Sequence, residues 1–258
     1  MRVALSIGQQ AAPSGSVGIW WLGQNSYVLR GAGMTIMVDP FFSRPGDSGR
    51  YVHAEAPIRA DELRPDAVFC THDHSDHTDP PFLAALAEHS AATRFLGPPE
   101  SARRIVETGL ALNRVTPLEE GETLKIGAVS VEVVLSKRPE VSDVGHFGYV
   151  FDFAGPRVYD TGDIMRGVTR EPSLIEPVCK AAPHVALITT SPTEEEFPDF
   201  AEAAELARTI GARVAIPAHY GCFARRTFDP AAFAAQFRAG ETTQAQIIPY
   251  CGCYVFCP

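Results

Sequence analysis

Short apolar runs separated by glycine-rich turns dominate the first part of the chain. Residues 18–22, 26–30 and 34–39 each have the length and composition of a strand, and the glycines between them are typical of tight turns. A fourth run, 67–71, is apolar except at its last position. Such a run is typical of a strand that is covered on both faces. The pattern therefore predicts hairpins followed by a buried strand.

A helix is predicted directly after this buried strand. Asp79 is a good N-cap, the two prolines that follow suit a first helical turn, and helical apolar spacing continues to about His89. Further helices are predicted around 100–110, 172–181, 200–210 and 230–238. The remaining predicted strands are 129–135, 149–153, 157–159, 185–189, 213–216 and a closing strand around 246–256.

Two segments of the chain resemble each other. SYVLRGAGMTIMVD and GYVFDFAGPRVYDTGD both run strand, glycine turn, strand and aspartate, although the closing residues Asp39 and Asp163 are offset by two positions. The similarity suggests a duplication without proving one. The order of hairpins and βα units, occurring twice, predicts an α/β fold of two mixed sheets packed face to face with helices outside, an αββα four-layer sandwich. No linker divides the chain, so we expect a single domain over residues 1–258.

Composition and charge restrict the possible partners. The chain has 258 residues, of which 45% are hydrophobic, so it can bury a substantial core. Its formal net charge of −9 disfavours nucleic acid as a partner. No apolar run approaches the roughly 20 residues of a membrane span, and the first residues are too polar for a signal peptide. We therefore expect a cytoplasmic protein that acts on a small molecule, with no membrane partner.

Six cysteines are spread along the chain, which favours reduced thiols over a disulfide framework. Three of them, Cys251, Cys253 and Cys257, lie close together in the tail CGCYVFCP. They lack the paired spacing of a zinc knuckle. We interpret them as small buried side chains rather than as a metal site.

Ligand-type side chains are concentrated in THDHSDH, residues 71–77. His72 and His74 alternate, so in an extended segment both imidazoles point the same way and can hold one cation. Asp76 and His77 follow where the chain turns toward the helix, and they can serve a second cation. Imidazole and carboxylate ligands suit Zn, Mn or Fe. A solvated loop is the alternative, but four donors at this spacing favour metal binding.

This motif resembles the signature of the metallo-β-lactamase-fold hydrolases, whose αββα sandwich agrees with the predicted element order. WWLGQNSYVLR, THDHSDHTDPPF and IPAHYGCF are most similar to the L-ascorbate-6-phosphate lactonase family. The resemblance implies that Asp163 bridges two metals and that Asp39 is a supporting residue. It implies a metal-ligand set of His72, His74, Asp76, His77, Asp163 and His219.

One position departs from the wider pattern. Many superfamily members have a further histidine before the strand that reads GYVF here, but VVLSKRPEVSDVG has none. Either His146 reaches the metal by another loop path, or the first site has lost a ligand and His146 is a substrate contact or a strand-edge histidine. The resemblance assigns Arg138 as a second candidate substrate contact. Arg225 and Arg226, beyond His219, are candidate anion contacts. The glutamates of SPTEEEF would oppose an anionic substrate if they border the cleft.

These features predict a metal-dependent hydrolase with one or two divalent cations, Zn or Mn, with Fe also possible. Such a cation lowers the pKa of coordinated water to about 7, so that hydroxide can attack a carbonyl or phosphoryl centre. Asp76 is the predicted catalytic residue, which orients the nucleophile or moves its proton. The resemblance implies a lactonase acting on a sugar-acid lactone. The alternatives are a phosphodiesterase or phospholipase-D-type hydrolase and a non-catalytic metal-binding relative.

Overall fold

The computed structural model describes residues 3–9 and 12–258. The strands of this part of the chain form two seven-stranded sheets. The strands are β1 (Val17–Trp21), β2 (Tyr27–Gly31), β3 (Met34–Val38), β4 (Ala67–Phe69), β5 (Arg94–Gly97), β6 (Val115–Pro117), β7 (Thr123–Ile126), β8 (Val129–Leu135), β9 (Phe147–Asp152), β10 (Arg157–Asp160), β11 (Val185–Thr189), β12 (Val214–Ala218), β13 (Gln244–Ala245) and β14 (Cys253–Phe256).

The two sheets have the same internal plan. The first has the order β14-β1-β2-β3-β4-β5-β6 and the second β7-β8-β9-β10-β11-β12-β13. In the first, pairing is antiparallel up to β3 and parallel from β3 onward. In the second, the change from antiparallel to parallel occurs at β10. The β2–β3 and β9–β10 hairpins, which carry the two similar sequence segments, thus occupy equivalent places.

The helices cover the outer faces of the sheets, as the predicted αββα sandwich requires. They are α1 (Val3–Gln9), α2 (Pro80–His89), α3 (Pro99–Val106), α4 (Pro172–Ala181), α5 (Phe200–Thr209) and α6 (Ala231–Ala234). Outer residues of the first sheet, such as Trp20, pack with α2 and α3, and those of the second sheet, such as Ile188, pack with α4 and α5. No helix in residues 3–9 or 12–258 is long and apolar enough to cross a bilayer.

The main core lies between the sheets. Alternate residues of β1, Val17 and Ile19, point into it, while Trp20 points to the outer face, as strand periodicity requires. Two buried tyrosines cross this core at equivalent positions. Tyr27 donates its hydroxyl to the carbonyl of Pro217 at 3.3 Å, and Tyr149 donates to the carbonyl of Cys70 at 2.6 Å. Each tyrosine fixes the end of a strand in the opposite sheet.

Several elements differ from the sequence-based prediction. The short strands β5, β6 and β7 were not predicted, because three or four residues carry too little periodicity to identify a strand. The last helix is confined to Ala231–Ala234 instead of 230–238. The closing strand predicted around 246–256 is confined to β14 at the edge of the first sheet, and the two-residue β13 at the edge of the second sheet was not predicted.

All six cysteines are free thiols, as the sequence analysis predicted. Cys251 and Cys253 are half-buried against the outer core of the first sheet, whereas Cys257 is exposed. Among the described residues, the clusters able to hold a metal contain only histidine and aspartate. The tail cysteines are therefore packing residues or surface residues in this fold.

The cap of α2 also fastens the loop that follows β3. Asp79 is buried and accepts hydrogen bonds from the backbone N–H groups of Phe42 and Ser43, both at 2.8 Å, and of Phe82 at 3.3 Å.

Asp79→Ala should lower the free energy of unfolding by about 2–4 kcal/mol, because buried donors lose their acceptor. Urea denaturation measures the loss. Asp47→Ala, at an exposed cap that accepts from the Gly49 N–H, is the control and should change stability by less than about 1 kcal/mol.

Candidate metal centre

The residues of the sequence motif converge at one edge of the sandwich, where strands from both sheets end. The THDHSDH segment follows β4, Asp163 follows β10 and His219 follows β12, while His146 precedes β9. The carboxyl ends of parallel strands lie at one edge of a sheet, so these loops can meet. The face-to-face packing of the sheets then brings the loops of both together.

His72, His74 and His146 form a first ligand group, in which one nitrogen of each ring lies within 4.8 Å of the others. The rings of His72 and His146 are stacked with centroids 4.1 Å apart. Nε2 of His72 is 3.0 Å from Nδ1 of His74. His146 therefore occupies the position next to the two alternating histidines, although its loop enters from the second sheet.

Asp76, His77 and His219 form a second ligand group by the same criterion. Oδ2 of Asp76 lies 3.8 Å from Nε2 of His77 and 3.9 Å from Nε2 of His219. Both imidazoles are buried and stack in near-parallel fashion at 5.5 Å between centroids. His77 also borders the first group, because its ring centroid is 3.9 Å from that of His72, and these two residues form a further set of candidate ligands with Asp163.

Asp163 lies between the two groups and faces both. Its Oδ2 is 3.5 Å from Nε2 of His72, and its Oδ1 is 3.4 Å from Nε2 of both His77 and His219. The preceding Gly162 permits this placement, because a Cβ atom there would lie 2.6 Å from the carbonyl oxygen of Phe147. The geometry suits a carboxylate shared by two cations.

Several buried polar atoms of the centre lack a hydrogen-bond partner among the described residues, and a bound cation would supply one. Nε2 of His77, Oδ1 of Asp163 and Nε2 of His146 are buried without a hydrogen-bond partner in the described part of the chain. Buried polar atoms ordinarily have a partner, and a cation would supply one for each of these. Imidazole and carboxylate donors without thiolate suit a catalytic Zn, Mn or Fe site.

Asp39 orients His77 from behind the centre. Its Oδ2 is 2.7 Å from Nδ1 of His77, which leaves Nε2 of that ring directed at the second group. Asp39 is fully buried and also accepts from the backbone N–H of Thr71 at 2.7 Å and from the Asn25 amide at 2.8 Å. The same amide donates to Asp160 at 3.1 Å. Burial and the nearby Asp39 carboxylate raise the pKa of Asp160 to about 7.

Asp143 makes the equivalent contact to the first group, and the sequence analysis did not identify it. Its Oδ2 is 2.8 Å from Nε2 of His74, while its Oδ1 is 3.5 Å from Nε2 of His146. Since Nδ1 of His74 faces His72, the carboxylate binds the nitrogen that points away from the group. No local sequence signal marks Asp143, because its loop returns to the histidines only through tertiary packing.

Gln24 is a second site residue that sequence reasoning missed. Its side-chain nitrogen is 2.9 Å from Oδ2 of Asp76 and 2.8 Å from Nε2 of His219, so the amide lies within the second group. Backbone hydrogen bonds join the same loops, from Gln24 to Tyr220 at 2.8 Å and from His219 to Gln24 at 3.1 Å. The signal available in sequence was the polar turn GQNS between two apolar strands.

A cleft of about 670 Å³ opens beside the second group. Asp76 lines it together with Arg50, Arg225, Arg226 and Phe223. The two arginines that the sequence analysis named as anion contacts therefore border the cleft, and Arg50 adds a third. The structure brings these basic side chains to the mouth of the candidate centre.

Arg138 lies elsewhere. Its Nε is 3.8 Å from a carboxylate oxygen of Glu171, and Arg138 lines neither the cleft nor the smaller cavity beside His146. The structure thus offers no contact that would support the predicted substrate contact by Arg138. The neighbouring Lys137 is buried and lines the smaller cavity with His146. The difference arises because alternate residues of an extended segment point in opposite directions.

The glutamates of SPTEEEF do not line the cleft, so the condition under which they would oppose an anionic substrate is not met. Glu194 pairs with Arg226 at 3.1 Å, and Glu196 pairs with Lys137 at 3.0 Å. Two of the three negative charges are thus matched by basic partners. The remaining Glu195 is exposed.

Burial and neighbouring charges give the imidazoles of the centre different proton affinities. Burial lowers the pKa of His72 well below its usual value, and it lowers the pKa of His146 to about 4 with help from the charge of Lys137. Burial also disfavours protonated His77, but nearby carboxylates, Asp163 foremost, outweigh it and raise its pKa to about 10. Without a cation, His77 is therefore protonated at neutral pH, whereas His72 and His146 are neutral.

Cation binding to the second group should therefore release one proton from His77. A ligating imidazole must be neutral, so affinity should rise by about tenfold per pH unit toward pH 10. Calorimetric titration of the metal-free protein with Mn²⁺ at pH 8, in two buffers of different ionisation enthalpy, measures the released protons. Equal heats in the two buffers would contradict this assignment of charge.

Removal of the Asp143 carboxylate should weaken cation binding to the first group. Groups that orient ligating histidines typically contribute 10- to 100-fold, and we expect about tenfold for Asp143→Ala because this carboxylate is exposed. Competition with a chromophoric chelator measures the affinity. Glu140→Ala, an exposed carboxylate of the same loop, is the control, and equal affinities of the two variants would count against the role of Asp143.

Comparison with known proteins agrees with this architecture. The sequence profile of the β-lactamase superfamily domain matches residues 18–219, a range that contains both ligand groups and Asp163. A UPF0173 metal-dependent hydrolase of Aeropyrum pernix is 30% identical over 226 residues, which cover 83% of this chain and 86% of that protein.

Solved structures share the fold at low sequence identity. Igni18, a metallo hydrolase from Ignicoccus hospitalis, superposes with a TM-score of 0.71 at 16% identity, covering 93% of this chain and 98% of that chain. An isothiocyanate hydrolase from Delia radicum gut bacteria gives a TM-score of 0.72 at 15% identity, covering 93% and 99%. The chain therefore belongs to the β-lactamase superfamily and, within it, to the UPF0173 metal-dependent hydrolase family.

Proposed function

We propose that this chain is a single-domain metal-dependent hydrolase that opens a lactone or similar ester carrying an anionic group. One observation carries the proposal: the two ligand groups converge on the two oxygens of Asp163, beside a cleft large enough for a small molecule. The names of the UPF0173 relatives support metal-dependent hydrolysis as the reaction class.

In this proposal each ligand group would hold one divalent cation, Zn or Mn, with Fe also possible, and Asp163 would serve as a ligand to both. His146 acts as a ligand of the first group instead of the substrate contact that its sequence position suggested. The non-catalytic alternative relied on the lack of a further histidine before GYVF. The proximity of His146 to His72 and His74 removes that argument, because it completes a set of three imidazoles.

When bound, the two cations would acidify a water molecule and polarise the scissile carbonyl. Asp76 accepts the proton of the attacking water and holds it for the leaving oxygen. This role is supported by its position, because Asp76 both belongs to the second group and lines the cleft. Gln24 donates to Oδ2 of the same carboxylate and so helps to fix its orientation.

The cleft selects an anionic substrate through its arginines. In the described part of the chain, neither Arg50 nor Arg225 has a carboxylate within 4.0 Å, so both are available to a ligand. Arg226 is already paired with Glu194. Guanidinium groups bind carboxylate and phosphate groups in bidentate fashion, which fits a sugar-acid lactone with a charged substituent.

A substrate panel distinguishes the lactonase from the phosphodiesterase, since a two-metal centre also serves displacement at phosphorus. The protein, loaded with Zn²⁺ or Mn²⁺, is assayed against neutral lactones, phosphorylated or carboxylated lactones, and bis(p-nitrophenyl) phosphate. We expect opening of the charged lactones, with a lower KM than for the neutral ones. Cleavage of the phosphodiester alone would favour the alternative enzyme.

Asp163→Ala should reduce this turnover by about 10³-fold, because the carboxylate that faces both groups is lost. Asp152→Ala, which removes a carboxylate from the β9–β10 hairpin away from the centre, is the matched control. Metal content is measured for every protein. Full activity of Asp163→Ala with metal retained would refute the bridging role.

A further inference from the structure

Lys137 brings an ammonium group to the centre that the proposed ligand set does not use. Its side chain is only 8% exposed, and with His146 it lines a cavity of about 300 Å³. Backbone hydrogen bonds of the preceding residue, Ser136, hold Lys137 in place. Ser136 donates its N–H to the carbonyl of His146 at 3.0 Å and accepts at its own carbonyl from Met165 at 3.1 Å, in the loop that carries Asp163.

The surroundings of Lys137 hold its charge beside the ligand groups. The ammonium is 3.0 Å from the Glu196 carboxylate and 5.3 Å from the centre of the Phe197 ring, which itself lies 4.8 Å from the ring of His219. These contacts hold the Lys137 ammonium between the Phe197 ring, which borders His219, and the cavity that His146 lines.

An ammonium at this position is unfavourable for cation binding alone. Like charges in a poorly solvated site repel one another, so Lys137 should weaken the affinity of the neighbouring groups for a divalent cation. Its partner Glu196 is 56% exposed, and an ion pair with such a residue contributes little to stability. An anion lying between the ammonium and the cations would be attracted to both, and these two attractions would offset the repulsion between the positive charges.

We propose that the Lys137 ammonium binds a negatively charged oxygen of the substrate, as a catalytic residue of this centre. In ester opening, the attacking oxygen bonds to the carbonyl carbon and the π electron pair moves onto the carbonyl oxygen. The pair returns when the bond to the leaving oxygen breaks. Lys137 stabilises the intermediate charge by a hydrogen bond and neither gains nor loses a proton. The chemical step rests on the proposed hydrolase, whereas the anion contact does not.

Inorganic phosphate, a tetrahedral anion, is the probe, and calorimetry on the zinc-loaded protein measures its affinity. Lys137→Met removes the charge but retains an unbranched chain against Phe197. Glu196→Gln breaks the same ion pair but retains the ammonium, and is the matched control. We expect Lys137→Met to bind phosphate about tenfold more weakly, as for loss of a charged hydrogen bond. Glu196→Gln should bind it as tightly as the wild type or more tightly.

Zinc content and melting temperature are measured for each variant, and Lys137→Met should retain zinc at least as tightly as the wild type. Equal loss of phosphate affinity in both variants, loss of zinc from Lys137→Met, or failure of the wild type to bind phosphate would each overturn the proposal. Phosphate binding requires no turnover. A protein that binds phosphate through Lys137 but hydrolyses nothing in the panel would contradict the proposed function alone.

Discussion

The packing of two apolar sheets against each other is the interaction on which the rest of the structure depends. It buries the inner faces of both sheets and places the ends of β4, β10 and β12 at one edge. Tyr27 and Tyr149 cross the core and bind carbonyl groups at the strand ends opposite, Pro217 and Cys70. Each of those carbonyls lies two residues before a histidine of the centre. Loss of this packing would break up both ligand groups, because each of them combines side chains from loops of both sheets.

Burial determines the electrostatics of the centre. Imidazoles and carboxylates taken out of water must be neutral, paired or bound to a cation. His72 and His146 are held neutral by burial, while His77 is held charged by the carboxylates around it. In the metal-free state the protonated His77 imidazole thus faces the carboxylates that a bound cation would otherwise balance. The carboxylates of the centre are therefore placed to balance a positive charge both in the metal-free state, on His77, and in the cation-bound state.

The loops that complete the centre come from different parts of the chain, and this has consequences for specificity. His146, Asp143 and Lys137 belong to the segment between β8 and β9, and the arginines of the cleft belong mainly to the loop after β12. The first segment lines the cavity beside His146, and the second borders the cleft beside Asp76. Changes in either loop can alter substrate choice without moving the ligands on the strand ends.

The sequence by itself determined the αββα architecture, because apolar runs separated by repeated turns report local periodicity. It also identified His72, His74, Asp76, His77, Asp163 and His219 as side chains that the structure brings together, since each directly follows a recognisable strand. Only the tertiary structure decided that His146 joins the first group, that Lys137 replaces Arg138 beside it, and that Asp143 and Gln24 contact the histidines. Those placements depend on how irregular loops run between the two sheets. Such loops have no periodic pattern of apolar residues by which their path could be recognised in the sequence.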